Sequence, residues 1–518
     1  MRVPPSVILV GAGAAGLSLA HSLASREWLV TLVEGGGDQP LRGLEDTYRV
    51  SVVGTPHRGV HEGRFRAWGG STTRWGGQLW PWEPHEFQPR PTIGVDGWPI
   101  RYDDVAAWYE PAFTMMRVQR PLLTEQAAAR CGVESARLES SPFAIKYSTW
   151  LPWRLRNLGR TLGAPLRRNA RVTIHANTTV TGFEFDSRRA RVTGVRMRAA
   201  DGAERTIRAS HVVLAAGALE NVRLLFAAAE DGDAPGNSSG WLGRAFMDHL
   251  SVRVARFRPA DRNAFARMFA PVFVGDIQYT PRLVARPEVL ERERLLSAYG
   301  HWDVAPAEGS ALDVLRAKLR RFQAGEGLRM DADDLRRLAS GMRDVYALAR
   351  GLLVDKRRWF PRDAQIHLRV DTEQLPDRES RLFASGDRDS YGLPRLVLDW
   401  RISELERRTV VRTAELLAAQ LEKTGVGVLD PIGDPFSADR DWGELRGDSF
   451  HMMGGTRMAN DSASGVVDVD CKVFGMENLY IAGASVFPTG GMANPTLTLI
   501  ALALRLADHL ARAHSTAA

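Results

Sequence analysis

The chain has 518 residues, 44% hydrophobic and 25% charged, an ordinary globular composition that excludes disorder and fibrous repeats and leaves room for two or three domains. Its formal charge of +7 comes from arginines scattered through stretches such as "RLRNLGR" and "VDKRRWF", with no nucleic-acid motif beside them, so nucleic acid is not an expected partner. Only Cys131 and Cys471 occur, which excludes a disulfide framework or a Cys-based metal centre. No charge-free apolar run approaches the ~20 residues of a membrane span, and the start shows no apolar leader, so a soluble, cytoplasmic protein is expected, with no metal.

In chain order, "SVILVGAGAAGLSLAHSLASREWLVTLVEGG" predicts a strand over Val7–Val10, a glycine turn, a helix and a second strand ending at Glu34. Gly11, Gly13 and Gly16 fill the glycine places of G-x-G-x-x-G, with Ala14 and Ala15 between them. Such a turn lets backbone approach a pyrophosphate and packs helix against strand, while the helix start supplies N–H groups to the phosphates. Glu34 follows at the distance where an acid takes ribose hydroxyls. This reads as dinucleotide binding without choosing between FAD and NAD. The tryptophans of the next segment, Trp68, Trp75, Trp80 and Trp82, read as packing and solvent shielding as readily as substrate contact.

Further along, "HVVLAAGALENVRLLFAAA" (211–229) repeats the strand, small-residue turn and helix design, with Ala216 and Gly217 at the turn. Residues 310–357 have helical spacing and many charges, and are expected to form a solvated helical pair. Residues 361–400 alternate apolar and polar as strands do, predicting an antiparallel sheet over the cofactor. "NLYIAGASVFPTGG" (478–491) is a third strand running into Gly483 and Ala484. The last helix opens with Asn494 and Pro495, which suit an N-cap and the first helical position.

These stretches, with "RAWGGSTTRWGG" (66–77), "GWPIRYDDVAAWYEPA", "TTVTGFEFD", "GRAFMDHL", "EQLPDRESRL" and "HMMGGTRM" (451–458), resemble in order and spacing the glucose-methanol-choline oxidoreductases, FAD enzymes that oxidise alcohols. The nearest resemblance is to the bacterial branch with the flavin subunits of fructose and gluconate dehydrogenases and, further off, pyranose oxidases. The resemblance implies an α/β fold with a Rossmann-like FAD-binding domain on a parallel sheet and an interleaved substrate domain whose antiparallel sheet is covered by helices. The FAD-binding domain would be assembled from residues 1–95, 165–250 and 440–518, and the substrate domain from 96–164 and 251–439.

By the same resemblance His451 is the catalytic base and Asn494 its partner. Cofactor contacts are expected from Gly11, Gly13, Ala14, Ala15, Gly16, Glu34, Trp68, Gly69, Gly70, Ser71, Thr72, Val180, Ala216, Gly217, Gly483, Ala484, Asn494, Pro495 and Thr496. A neutral histidine suits proton removal because its ordinary pKa lies near working pH. Gly454 and Gly455 are expected to let backbone pass close to the isoalloxazine, and His249 to support the fold or line the site. Where pyranose oxidases carry a flavin-linked histidine, this chain places Arg74, which implies non-covalent FAD. The substrate would be an alcohol, most plainly a sugar or other polyhydroxylated molecule, and dioxygen, a quinone or a redox protein would be the acceptor. The rival readings are a flavin-containing lyase without net redox turnover and a flavin subunit of a multi-subunit dehydrogenase.

Overall fold

The computed structural model describes residues 4–38, 45–118, 129, 141–229, 232–323, 327–437 and 445–517; Cys131 lies outside them. A five-stranded parallel sheet forms the first layer, in the spatial order Leu479–Ile481, His211–Leu214, Ser6–Val10, Leu29–Val33 and Val172–His175. Val7, Leu9, Leu32, Val213 and Ile481 are all buried, the continuous apolar reading of strands covered on both faces. The helix Ala14–Ala24 follows the first strand and packs against the C-terminal helix Pro495–Ala517. That last helix buries Leu497, Ile500, Ala501 and Leu504, a stripe at helical spacing facing the core.

The second layer is a nine-stranded sheet whose main path runs Gly427–Pro431, Leu250–Pro259, Gln365–Thr372, Ala298–Ala305, Ile277–Ala285, Phe143–Trp150 and Gln78–Leu79. Alternation divides its faces. Leu250, Val252, Leu368 and Val370 are buried on one, against the helix Glu404–Lys423, and Gly300 leaves room there, since a Cβ would stand 2.6 Å from Leu417 Cδ1. Ser251, Arg253, Arg369 and Asp371 belong to the other face. Two short pieces, Gln78–Leu79 and Arg446–Asp448, run directly from this sheet into the cofactor side of the molecule.

Residues 361–400 do not form one roof. Gln365–Thr372 lies in the large sheet, but Arg381–Arg388 and Pro394–Asp399 form a hairpin that pairs in parallel with Val50–Val52 in a separate three-stranded sheet. Asp389 closes the hairpin by accepting from the backbone N–H groups of Tyr391 and Leu393, and its other oxygen pairs with Arg223 on the helix Ala218–Ala227. Period-two alternation reports a strand but not the sheet it joins. The insertion holds three helices rather than a pair: Ala311–Gln323, Ala332–Ser340 and Met342–Leu353.

Candidate active site

A cavity of about 600 Å³ lies beyond the carboxyl ends of the parallel strands, where a doubly wound sheet binds its ligand. Val10 and Gly11, Val33 and Glu34, Ala215 and Ala216, and Ala482 and Gly483 supply four successive strand ends to its wall. Gly13, Ala14, Ala15, Gly70, Ser71, Thr72, Val180, Gly217, Ala484, Asn494, Pro495 and Thr496 also line it, as expected from the sequence, together with His451. Three residues expected at the cofactor do not line it. Gly16 is required by packing, since a Cβ there would fall 1.9 Å from the Gly11 carbonyl oxygen. Trp68 turns away to donate its indole N–H to the Gly159 carbonyl at 2.9 Å, and Gly69, with φ of +105°, is pressed against the Gly159 backbone. Both stand behind the cavity wall.

The cavity suits a dinucleotide with two phosphates. The space into which a Cβ of Gly13 would project is open to 4 Å, as it is at Gly217, whose φ is +93°. These two glycines begin the helices Ala14–Ala24 and Ala218–Ala227, whose free N–H groups favour phosphate. Glu34 accepts from Ala12 N at 2.8 Å and Gly36 N at 2.7 Å, and each oxygen keeps a lone pair for a ribose hydroxyl. Burial pushes the Glu34 carboxyl upward, and those N–H groups and Arg66 pull against it. Sequence reading missed Tyr48, Arg66, Thr179 and Arg223 on the same wall. Arg66 hydrogen-bonds Thr47 and Thr179; Arg66, Thr179 and Arg223 lie within the quoted stretches without anything to single them out, and Tyr48 lies in none.

At the far end of the cavity His451 meets Asn494: the Asn494 Nδ2 stands 2.7 Å from His451 Nε2. Behind them, His451 Nδ1 is 3.0 Å from His249 Nδ1, and His249 Nε2 is 3.1 Å from the Gly490 carbonyl oxygen. This chain assigns the tautomers. A carbonyl only accepts, so His249 carries its proton on Nε2 and offers a lone pair at Nδ1; His451 then donates from Nδ1 and holds a lone pair at Nε2, which receives the Asn494 N–H. The imidazole is therefore wired as a base facing the cavity. Burial first, and the neighbouring His249 next, push the His451 pKa down to about 4, against the opposing pull of Asp248 and Asp371. Asn494 Oδ1 is buried without a hydrogen-bond partner among the described residues. The carboxamide thus does not cap the last helix, as its place before Pro495 suggested; it is spent on His451 and the open space beside it.

The supports come from distant parts of the chain. Asp248, fully buried, accepts from the backbone N–H groups of His249 at 2.7 Å and His451 at 2.9 Å, and its other oxygen lies 3.2 Å from His57 Nε2. Burial raises the Asp248 pKa, but the His57 contact, with His451 and His249, outweighs it and holds the carboxylate below its ordinary range. Each peptide from 490 to 493 is gripped by a side chain: Gly490 O by His249, Gly491 N by Glu373 at 3.1 Å, Met492 N by Glu86 at 2.6 Å and Ala493 O by the Trp82 indole at 3.0 Å. Glu373 is a buried partner of Arg90, whereas burial pushes Glu86 up to about 8. Gly454 and Gly455 do not face the cavity. Their φ values are +76° and +92°, and Cβ atoms there would meet Ala245 O at 1.9 Å and Val222 Cγ2 at 2.7 Å, so protein crowding rather than a flavin requires them.

The profile of the family described as GMC oxidoreductase matches residues 376–503, the stretch holding both His451 and Asn494, and that described as pyridine nucleotide-disulphide oxidoreductase matches residues 5–236. The large subunit of fructose dehydrogenase from Gluconobacter japonicus is 23% identical across 97% of this chain and 97% of its own. Residues 376–503 are thus a GMC oxidoreductase domain. The chain oxidises an alcohol with FAD as its cofactor. A second relative, the C-glycoside 3-oxidase of Microbacterium trichothecenolyticum, is 37% identical over 27% of this chain and 25% of its own. The fold is that of pyridoxine 4-oxidase from Mesorbium loti, with a TM-score of 0.58 at 15% identity over 98% of this chain and 99% of that one. Two of these relatives are named as oxidases and one as a dehydrogenase, and the lyase reading gains no support from them.

Proposed function

We propose that this GMC oxidoreductase oxidises a hydroxyl of a sugar, glycoside or similar polyhydroxylated molecule to a carbonyl, with His451 as the proton acceptor. One observation carries the assignment: the His451 Nε2 lone pair and the unpartnered Asn494 Oδ1 meet at one end of the cofactor cavity. The substrate hydroxyl enters between them, exchanging the 2.7 Å Asn494 contact for its own and giving Nε2 its proton. Asn494 Nδ2 donates to the substrate oxygen through both halves of the reaction, because a hydroxyl whose one proton goes to His451 and the carbonyl it becomes both accept. The imidazolium that forms keeps its Nδ1 proton on His249 and is stabilised by Asp248 close by. FAD, when bound, supplies a hydride acceptor for the carbinol carbon. The glycine turn, Glu34 and the two helix starts at Gly13 and Gly217 would hold it.

The substrate class is supported by the sugar relatives fructose dehydrogenase and C-glycoside 3-oxidase. The FAD is non-covalent on this reading, with Arg74 lining the cavity in place of a linking histidine; acid precipitation should leave the flavin in the supernatant. Dioxygen, a quinone or a redox protein then reoxidises it. Residues 1–95, 165–250 and 440–518 act as the cofactor domain and the rest as the substrate domain.

The test is anaerobic. Free sugars, glycosides and simple monohydric alcohols are mixed with the FAD-loaded enzyme and loss of the oxidised flavin band is followed. Bleaching by one or more sugars or glycosides is expected; bleaching only by monohydric alcohols would overturn the substrate class.

A further inference from the structure

We propose that the helical insertion between residues 311 and 354 docks the enzyme on an anionic lipid surface. Ten of the 17 exposed large hydrophobic side chains among the described residues fall between Leu315 and Val354. They are not scattered. Met342, Tyr346 and Leu353, exposed by 60%, 67% and 72%, share one face of the helix Met342–Leu353 through steps of four and seven residues. Leu352, Leu353 and Val354 form a run of exposed apolar residues at the helix end, and Leu335 adds a further exposed leucine from the preceding helix. An apolar concentration of this kind on a folded chain marks an interaction surface.

The insertion is seated firmly on the body, so the exposed face is not a frayed end. A Cβ on Gly341 would meet Ala311 Cβ at 2.3 Å and one on Gly351 would meet the Arg357 carbonyl oxygen at 2.9 Å, so the helices touch closely at their roots. Ala311, Leu312 and Gly351 are buried there, and Lys318 pairs with Asp334 between two of the helices.

Charge selects the occupant. Residues 310–357 carry eleven Lys and Arg against seven Asp and Glu, an excess of four within a chain whose net charge is +7. A second copy related by a two-fold axis would set this excess against itself, which disfavours a homodimer through this face. Arg329 and Arg343 are exposed and form no ion pair among the described residues. Helices with one apolar face, flanking arginines and a protruding leucine-valine end are built to lie in a headgroup layer, the apolar side in the acyl boundary and the guanidinium groups on lipid phosphates. No helix among the described residues is long and apolar enough to cross a membrane, so the contact would be peripheral.

The FAD-loaded enzyme is sedimented with vesicles of phosphatidylcholine alone and of phosphatidylcholine with phosphatidylglycerol, at low and physiological salt. Binding to the phosphatidylglycerol vesicles, weakened by salt and reduced by ~10-fold or more in a Leu353→Asp, Val354→Asp double variant, is expected. The variant should keep its melting temperature and its flavin reduction by substrate, because neither side chain touches the cavity. Absence of binding to anionic vesicles, or equal binding by the double variant, would overturn the proposal. So would a wild-type dimer in sedimentation velocity that the double variant converts to monomer, which would give the face to a second copy.

Discussion

The His451 pKa makes a sharp demand on the acid side of the reaction. An ordinary imidazole, titrating near 6.5, would be neutral in only about one molecule in thirty at pH 5, whereas one titrating near 4 is neutral in about nine of ten, an expected ratio of about 30-fold. The sign follows from the role: the base must be unprotonated, and burial together with His249 disfavours the proton, so activity is present above about pH 4 and is lost as pH falls through it. Bound cofactor deepens the burial and moves the midpoint further down. The assay is anaerobic stopped-flow, with the second-order rate constant for flavin reduction measured at low substrate from pH 4 to pH 8, where it reports the free enzyme. Control experiments must show that the enzyme remains folded at the acid end. A limb with its midpoint near 6.5 would refute the enclosed neutral imidazole, and a rate unchanged in the His451→Ala variant would refute the assignment altogether.

His451→Ala should slow flavin reduction by at least ~10²-fold while leaving FAD content unchanged, because the backbone N–H that holds Asp248 survives the change; reduction traces and the flavin-to-protein absorbance ratio check it. Asp248→Asn should cost about 3 kcal/mol and lower flavin reduction together, since it leaves His57 facing an amide in a fully buried site; chemical denaturation and stopped-flow measure the two effects. Gly454→Ala should destabilise by about 2 kcal/mol or more, because a Cβ would strike the Ala245 carbonyl oxygen at a left-handed backbone position. A melting temperature within a degree or so of wild type would show that the loop carrying His451 yields easily.

What the sequence disclosed was the chemistry whose requirement is local. The glycine turn from Gly11 and the acid at Glu34 each depend on a residue type at a fixed distance along the chain, whereas His451 and Asn494 were marked by the resemblance of the stretches that hold them; all four lie at the cavity. What it hid depends on contacts between distant segments. Gly454 and Gly455 announced crowding, but only the fold shows that the crowding atoms belong to Ala245 and Val222. Asn494 looked like a helix cap because Pro495 follows it; its amide is drawn instead to an imidazole 43 positions earlier. Asp248 sat unremarked beside His249, since one carboxylate carries no signal until three backbone N–H groups converge on it. The hairpin Arg381–Asp399 alternated correctly, yet its partner, Val50–Val52, is more than 300 residues away and could not be read from spacing.

The strand Leu479–Ile481 takes the rim of a sheet whose other four members all precede residue 215. During synthesis, a ribosome therefore completes most of the nucleotide cradle long before it releases the carboxamide that finishes the reaction centre. A polypeptide arrested short of that last strand would lack the Ala482 and Gly483 end of the cavity wall, the helix that packs on Ala14–Ala24 and the amide that meets His451. Premature termination of this enzyme would therefore cost the cofactor cradle and the reaction centre together.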